Sequence, residues 1–423
     1  MILLSEKSRL SGSVEIPASK SHTIRALAIA TLAEGTSEVA NPLDSADTRA
    51  CVDTCRALGA QVETGNVWTV RGIAGRVQTA PDVIDVKNSG TTLFIALSLA
   101  ALGEGWNVFT GDAQTRRRSA GPLLDALRAL GATAESTRAN GCAPIVIRGP
   151  LRGGEASIAC PTSQYLSSLL IGAPLARGET RIRVTLLNEA PYVQMTLDWL
   201  TMQGIRLSGR PDFLEFTIPG GQRYRAFRER VKADFSSATF FLCAAAITGA
   251  DLTLNDLDMT DSQGDKAVVG MLQRMGAVVE FGPRSVRLRG GALQGADHDL
   301  NATPDALPAL AVTGCFAQGV TRLLNVPQAR IKETDRIRVM HEVITALGGR
   351  AEELPDGLVI HGGGLRGGKA PGHADHRVVM ACAVAGLAAD RPVEVDTAEA
   401  MNITFPSFVE LMTRCGARMR VAE

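Results

Sequence analysis

A pattern that recurs six times at nearly constant spacing limits this chain more than anything else in it. An apolar, helix-like segment ends in "GA" or a close variant, and a strand-like segment follows. The six copies are "CRALGAQVE", "LRALGATAE", "LTMQGIRLS", "LQRMGAVVE", "ITALGGRAEE" and "MTRCGARMR". Their glycines, Gly59, Gly131, Gly204, Gly276, Gly348 and Gly416, lie 72, 73, 72, 72 and 68 residues apart. Each fits the position just past a helix, where a residue without a Cβ takes a positive φ. A second pattern interleaves with the first: a helix of small apolar residues opened by polar ones. Its copies are "SKSHTIRALAIATLAEG", "NSGTTLFIALSLAALGEG", "TSQYLSSLLIGAPLARG", "DFSSATFFLCAAAITG", "TPDALPALAVTGCFAQG" and "ADHRVVMACAVAGLAAD". Lys20, Ser89, Ser163, Ser236, Asp305 and His376 mark equivalent points, 69, 74, 73, 69 and 71 residues apart.

The repeat is therefore a unit of about 70 residues: small buried helix, strand, second helix, glycine turn, strand. The stretches "VWTVRG", "APIVIRG", "EFTIPG", "SVRLRG" and "GLVIHG" alternate as strands do after each glycine turn. Repeats of this length also build solenoids. Here the small helices read as buried on every side, and no capping repeat is visible. The expectation is an α/β protein of two domains with three units each. The basic stretch "QRYRAFRERVKADF" (222–235) looks helical and is placed to carry the chain from one domain to the other.

A length of 423 residues exceeds one ordinary core, so two domains fit and three are allowed. Hydrophobic residues make up 45% and charged residues 21%, as in globular proteins. The 44 basic and 44 acidic residues cancel, which argues against general nucleic-acid or membrane-surface binding. Any anionic ligand must then be held by local cations. The start, "MILLSEKSRLSG", is too short and too soon charged for a signal peptide, and no apolar run approaches the ~18 residues of a membrane span. A cytoplasmic protein is expected. The eight cysteines are scattered. Cys51 and Cys55 can share a helix face, but no second pair completes a zinc set, so buried reduced thiols are expected.

The mouths of the small helices carry the functional signal. Ser89, Ser163, Ser236 and Asp305 can each be explained as helix N-caps, and Ser236 is expected to be one. Lys20, Arg25 and Arg377 cannot, because a helix N-terminus is already partly positive. Cations there make sense when an anion sits between them and the helix ends. "TGDAQTRRRSAGP" adds Arg116, Arg117 and Arg118, and "ARIKETDRIR" adds Arg330, Lys332, Glu333, Asp335, Arg336 and Arg338. If helical, Lys332 and Arg336 share a face at i, i+4. Either cluster alone is explained by solvated surface. Together with the helix-mouth cations they suggest a site for several carboxylate and phosphate groups. No GxxxxGK[ST] loop or dinucleotide fingerprint is present.

The segments "SKSHTIRA", "LDSADTR", "NSGTT", "TGDAQTRRR", "TSQYLSSLLIGAPLA", "APYVQMTL", "TPDALPALAV", "KETDRIR", "ADHRVVMA" and "TFPSF" occur in this order along nearly the whole chain. In them the chain resembles the enolpyruvyl transferases, most closely the branch whose acceptor is shikimate 3-phosphate. The resemblance implies two inside-out α/β domains with buried parallel helices, residues 1–19 plus 232–423 forming one and 20–231 the other, with the active site in the cleft between them. It implies transfer of the enolpyruvyl group of phosphoenolpyruvate to a hydroxyl through a tetrahedral intermediate, without metal, cofactor or covalent enzyme intermediate. It implies small-molecule substrates, no nucleic acid or membrane partner, and a monomer. Lys20, Gly90, Arg118, Gln164, Arg336, His376 and Arg377 would meet phosphoenolpyruvate. Ser21, Arg25, Thr162, Ser163, Gln164, Glu189, Tyr192, Asp305, Gln328 and Lys332 would meet the acceptor. Asp305 would take the acceptor's proton, Glu333 would handle the proton on the methylene carbon, and Lys20 and Lys332 would act beside them. For His376 a positioning role and a plain structural one are both open.

Four positions depart from the family pattern. Glu189 stands where the family has a serine that helps bind the acceptor's phosphate. A carboxylate ~5 Å from a phosphate costs about 3 kcal/mol per charge pair at an effective dielectric near 20. Ile403 replaces a lysine near the donor's phosphate, Phe94 and Ile95 replace an Arg-Pro pair, and Gln328 replaces an asparagine near the acceptor. Three of these changes remove positive or hydroxyl-donating character. The alternatives are a relative acting on a different, unphosphorylated cyclic hydroxy acid, and a non-catalytic anion-binding relative.

Overall fold

The six glycines that punctuate the repeat all sit at positive φ, between 69° and 109°, each just past a helix. This computed structural model describes residues 1–422. In the first five repeats a small helix leads to a strand, a second helix, the glycine, and two more strands. The first repeat runs through Lys20–Leu32, Thr36–Ala40, Ala46–Ala57, Gly59, Gln61–Glu63 and Val67–Arg71. The next four follow the same order, the sixth has Arg418–Ala422 alone after Gly416, and the described residues form six four-stranded sheets.

All six sheets share one topology. The strand after the small helix lies between a parallel neighbour and an antiparallel one, and the strand just after the glycine takes the edge. Three sheets are completed from a distance. Ser11–Glu15 pairs parallel with Asp251–Asn255 of the fourth repeat. Arg228–Arg230 pairs parallel with Thr36–Ala40 of the first repeat. Ile2–Glu6 fills the sixth sheet, antiparallel to both Val393–Val395 and Arg418–Ala422. Each set of three repeats is closed by a strand far away in sequence. The chain divides into two compact units, Ala18–Val231 and Met1–Pro17 with the chain from Lys232 onward.

Within each unit the small helices form the core and the sheets cover them. Every residue from Phe235 to Ala246 is buried, and so is every residue of Gly90–Ala100 and of His376–Gly386. A helix apolar all round belongs inside. Its few hydroxyls must then find partners within the protein. Thr239 and Thr313 donate back to the carbonyls of Phe235 and Ala309. Ser168 donates to Phe94 O at 2.6 Å and lies 2.7 Å from Ser98 Oγ, joining two buried helices. All eight cysteines are buried free thiols, and burial pushes Cys160, Cys243, Cys315 and Cys382 up to about 12. Among the described residues no helix is long and apolar enough to cross a membrane.

The 222–235 stretch is not a helix. Arg228–Arg230 is a strand beside Glu38–Ala40, and Tyr224 is buried with its hydroxyl donating 2.8 Å to Ile171 O. Its many cations resembled a helix surface, but an open strand of the first sheet takes it up instead.

The strand-ending glycines of "VRG", "IRG" and "IHG" have a separate, steric reason. A Cβ on Gly72, Gly149 or Gly362 would stand 2.2, 1.9 or 1.7 Å from the carbonyl oxygen of Ala33, Ala101 or Ala317, at the end of the neighbouring small helix. The approach of strand to helix leaves no room for a methyl group. Gly270, within Ala267–Arg274, has nothing nearer than 3.8 Å. G362A is expected to cost about 3 kcal/mol of unfolding free energy in urea. G270A should stabilise by about 0.5–1 kcal/mol.

Candidate active site

In the 18–231 unit, the mouths of the helices beginning at Lys20, Gly90 and Ser163 are tied together by side chains. Lys20 Nζ lies 3.0 Å from Asp47 Oδ2. Arg25 is fully buried. Its Nη1 donates to Ser21 O, its Nε to Thr196 Oγ1, and its Nη2 to Ser167 Oγ and Tyr192 O, all within 2.9–3.1 Å. Burial lowers its pKa to about 10, against the opposing pull of Tyr192 and Glu189. The guanidinium still stays charged. Gln164 Nε2 donates 2.7 Å to Thr91 Oγ1, while its Oε1 is buried without a partner among the described residues.

Gly90 has a defined purpose. A Cβ there would stand 2.1 Å from Arg118 Nη1, so the absent side chain makes room for that guanidinium. Arg118 lies over the ring of Phe94, 5.6 Å from its centroid, and Phe94 packs edge-on against Tyr165. Phe94 is thus a buried platform under a site cation. Ile95 is buried beside it.

Glu189 departs furthest from the pattern, and its geometry is unusual. It is buried, with φ 59°, in the left-handed region at the N-cap of Ala190–Met202. Its Oε2 accepts from Thr162 Oγ1 at 3.2 Å, Ser163 N at 3.1 Å and Ser163 Oγ at 2.8 Å. The residues expected to meet the acceptor's phosphate are engaged by a carboxylate of the chain itself.

In the other unit Arg336 is the hub. It is fully buried and opens Arg336–Ala346. Its Nε lies 2.9 Å from Asp375 Oδ2, its Nη1 2.8 Å from Asp305 Oδ1, and its Nη2 2.6 Å from Glu333 Oε2. Arg377 Nη2 reaches Asp305 Oδ2 at 3.0 Å. Burial pulls the Arg336 pKa down, but Asp375, Glu333 and Asp305 outweigh it and hold the guanidinium above its ordinary value. Burial likewise pushes Asp305 up. Arg377, Lys332 and Arg336 overcome that and hold its carboxyl well below the usual range. Asp375 is depressed for the same kind of reason, with Arg336 outweighing burial. Asp375 also accepts from Arg377 N and Thr334 Oγ1, both at 2.9 Å, capping His376–Gly386.

Four local expectations fail here. Asp305 is not an N-cap: it lies in the turn Pro304–Ala306 before Leu307–Cys315, and its carboxylate goes to the two arginines. Ser236 is not a cap either; Asp234 caps that helix by accepting from Ser237 N at 2.9 Å. Ser163 is the first residue of its helix, with its hydroxyl turned to Glu189. Lys332 and Arg336 do not share a helix face. Lys332 is extended after the turn Pro327–Ile331, and Asp335 starts the helix by accepting from Arg338 N.

Gln328 is buried, with Nε2 donating 2.8 Å to Asn301 O and Oε1 unpartnered among the described residues. Ile403 packs on the core at the end of the turn Ala398–Ile403. Sequence reasoning missed Asp375 and Asp47, the partners of Arg336 and Lys20. Both lay inside quoted segments, "ADHRVVMA" and "LDSADTR".

His376 is buried, and neither ring nitrogen has a hydrogen-bond partner among the described residues. Burial, against the pull of Glu333 and Asp375, lowers its pKa to about 3. Burial also lowers His298 to about 4, helped by Arg274. Both imidazoles stay neutral in the native protein, while in the unfolded chain they protonate near the ordinary 6.5. Their stability contribution is complete above that pH and is lost as pH falls towards 4, at about 1.4 kcal/mol per pH unit for each. Asp305 and Asp375 are depressed and add to acid sensitivity only below the ordinary 3.8. Urea unfolding between pH 6.5 and 4.5 should show H376Q losing about one proton's worth of this slope.

The profile of the EPSP synthase (3-phosphoshikimate 1-carboxyvinyltransferase) family matches residues 4–412. A 3-phosphoshikimate 1-carboxyvinyltransferase of Acetivibrio thermocellus is 54% identical over 424 residues, spanning all of both chains. One from Methanocella arvoryzae is 44% identical over 428 residues, again all of both. Among solved structures, an EPSP synthase from Acinetobacter baumannii aligns with a TM-score of 0.83 at 26% identity, covering both chains completely. With such matches from end to end, the chain belongs to the EPSP synthase family.

Proposed function

We propose that this protein transfers the enolpyruvyl group of phosphoenolpyruvate to the 5-hydroxyl of shikimate 3-phosphate, releasing phosphate. The observation that carries this reading is 54% identity along the full chain to a 3-phosphoshikimate 1-carboxyvinyltransferase. The acid, base and cation set that the reaction needs is present in the two side-chain clusters. The proposal extends to a monomer acting in the cytoplasm.

The reaction joins the acceptor's oxygen to C2 of the enol while a proton is added at C3. The tetrahedral intermediate then expels phosphate and loses a C3 proton, restoring the double bond. Lys20, Arg118, Arg336 and Arg377 hold the donor's phosphate and carboxylate. Arg25 and Ser21 take the acceptor's carboxylate. Thr162, Ser163 and Gln164 take its phosphate and hydroxyls, with Tyr192 and Gln328 beside them. Glu333 exchanges the C3 proton, Asp305 receives the hydroxyl proton, and Lys332 offsets the charge that develops there.

The strongly depressed Asp305 is a weak base while Arg336 and Arg377 are paired with it. Donor anions that draw those arginines away relieve the depression and move the carboxyl towards a useful pKa. The base that serves the acceptor is therefore strengthened by the donor.

Phosphate release from phosphoenolpyruvate should require shikimate 3-phosphate and should not occur with shikimate in its place. Release with neither acceptor would sink the proposal. E333Q should lower kcat by about 10²–10⁴-fold, the usual worth of a general acid-base group, measured in the same assay.

A further inference from the structure

Thr162 and Ser163 form a cradle for an oxyanion. Two hydroxyls and one backbone N–H converge at the start of the ten-residue helix Ser163–Gly172, where the partial positive charge of the helix adds to them. Arg25, fully buried, lies near enough to feel the charge of the group held there. The occupant is Glu189. One oxygen of its carboxylate, Oε2, takes all three donors at 2.8–3.2 Å, and the side chain is 2% exposed. Its backbone adopts the left-handed conformation, which a glutamate does not favour. That conformation positions the side chain at the cradle.

We propose that Glu189 is a built-in competitor for the acceptor's phosphate and sets how tightly the acceptor binds. The inference rests on the functional reading above, in which the acceptor is phosphorylated. A phosphate oxygen and Glu189 Oε2 cannot both accept from the same three donors, and the two anions repel at that range. The acceptor therefore binds as the carboxylate leaves. Part of its binding energy is spent in displacing Glu189, and that part appears as a raised KM. The empty protein gains in exchange: no buried donor is left unpaired at the helix mouth. The effect is confined to one substrate, because phosphoenolpyruvate does not use this cradle.

Steady-state kinetics of the full chain, with each substrate varied in turn, tests the proposal. E189Q keeps an oxygen to accept from the donors but loses the charge; E189S empties the cradle. KM for shikimate 3-phosphate is expected to fall about tenfold or more in E189Q, the equivalent of one factor of ten in affinity, and further in E189S. KM for phosphoenolpyruvate at saturating acceptor should stay within twofold in both. A KM for shikimate 3-phosphate that is unchanged or raised would overturn the proposal and make Glu189 a support of the cradle. Thermal unfolding with inorganic phosphate gives a readout independent of turnover. Phosphate should raise the Tm of E189S and E189Q more than that of the wild type, and equal shifts would also overturn the proposal. If the wild type releases no phosphate with shikimate 3-phosphate, the functional reading fails, and the phosphate-dependent Tm shifts still decide whether Glu189 competes for the cradle.

Discussion

Arg336 binds three carboxylates at once, and much of its unit is arranged around that fact. A guanidinium with no solvent exposure is tolerated only if its charge is met. Asp375, Glu333 and Asp305 meet it from three separate segments of the chain. Because Asp375 also caps the helix that carries His376 and Arg377, the hub sets where those two side chains begin. Asp305 in turn is shared with Arg377. Removing Arg336 would leave several buried negative charges facing one another, which is costlier than the loss of any one pair.

The same arrangement recurs in the other unit with different residues. Lys20 is met by Asp47, and the donors of Thr162 and Ser163 are met by Glu189. The partly positive mouths of buried helices, with cations added, need negative charge whether or not a substrate is there. Carboxylates of the chain supply it. In the proposed reaction two substrates bring their own phosphates and carboxylates to these places, and the resident carboxylates give way. In that proposal the exchange accounts for a proposed base that is weak at rest, and for a proposed acceptor site that holds a glutamate.

Much of the fold can be read from the sequence because its signals are local. Gly59, Gly131, Gly204, Gly276, Gly348 and Gly416 mark helix ends through a φ that other residues disfavour, and the small apolar helices announce their own burial. The strand-ending glycines were visible too, but their cause lies in a helix several dozen residues earlier. The site residues were legible as types and less so in their partners. Asp305 before a helix looks the same in sequence whether it caps that helix or reaches Arg336 and Arg377. Lys332 and Arg336 show a helical spacing that the cap at Asp335 cancels. "DFSS" offers both Asp234 and Ser236 as caps, and the backbone uses the first. The 222–235 stretch has the composition of a helix surface, and only the unfilled edge of a sheet formed nearly two hundred residues earlier makes part of it a strand.

The central claim is that substrate anions replace the chain's own carboxylates at these cations and donors. A crystal structure with shikimate 3-phosphate and phosphoenolpyruvate, or an unreactive analogue of it, tests this directly. The account predicts phosphate oxygens on Thr162 Oγ1, Ser163 N and Ser163 Oγ with the Glu189 carboxylate displaced. It also predicts donor anions on Lys20, Arg336 and Arg377, with the contacts to Asp47 and Asp305 lengthened or lost. Both substrates bound with Glu189, Asp47 and Asp305 still at their present distances would contradict it.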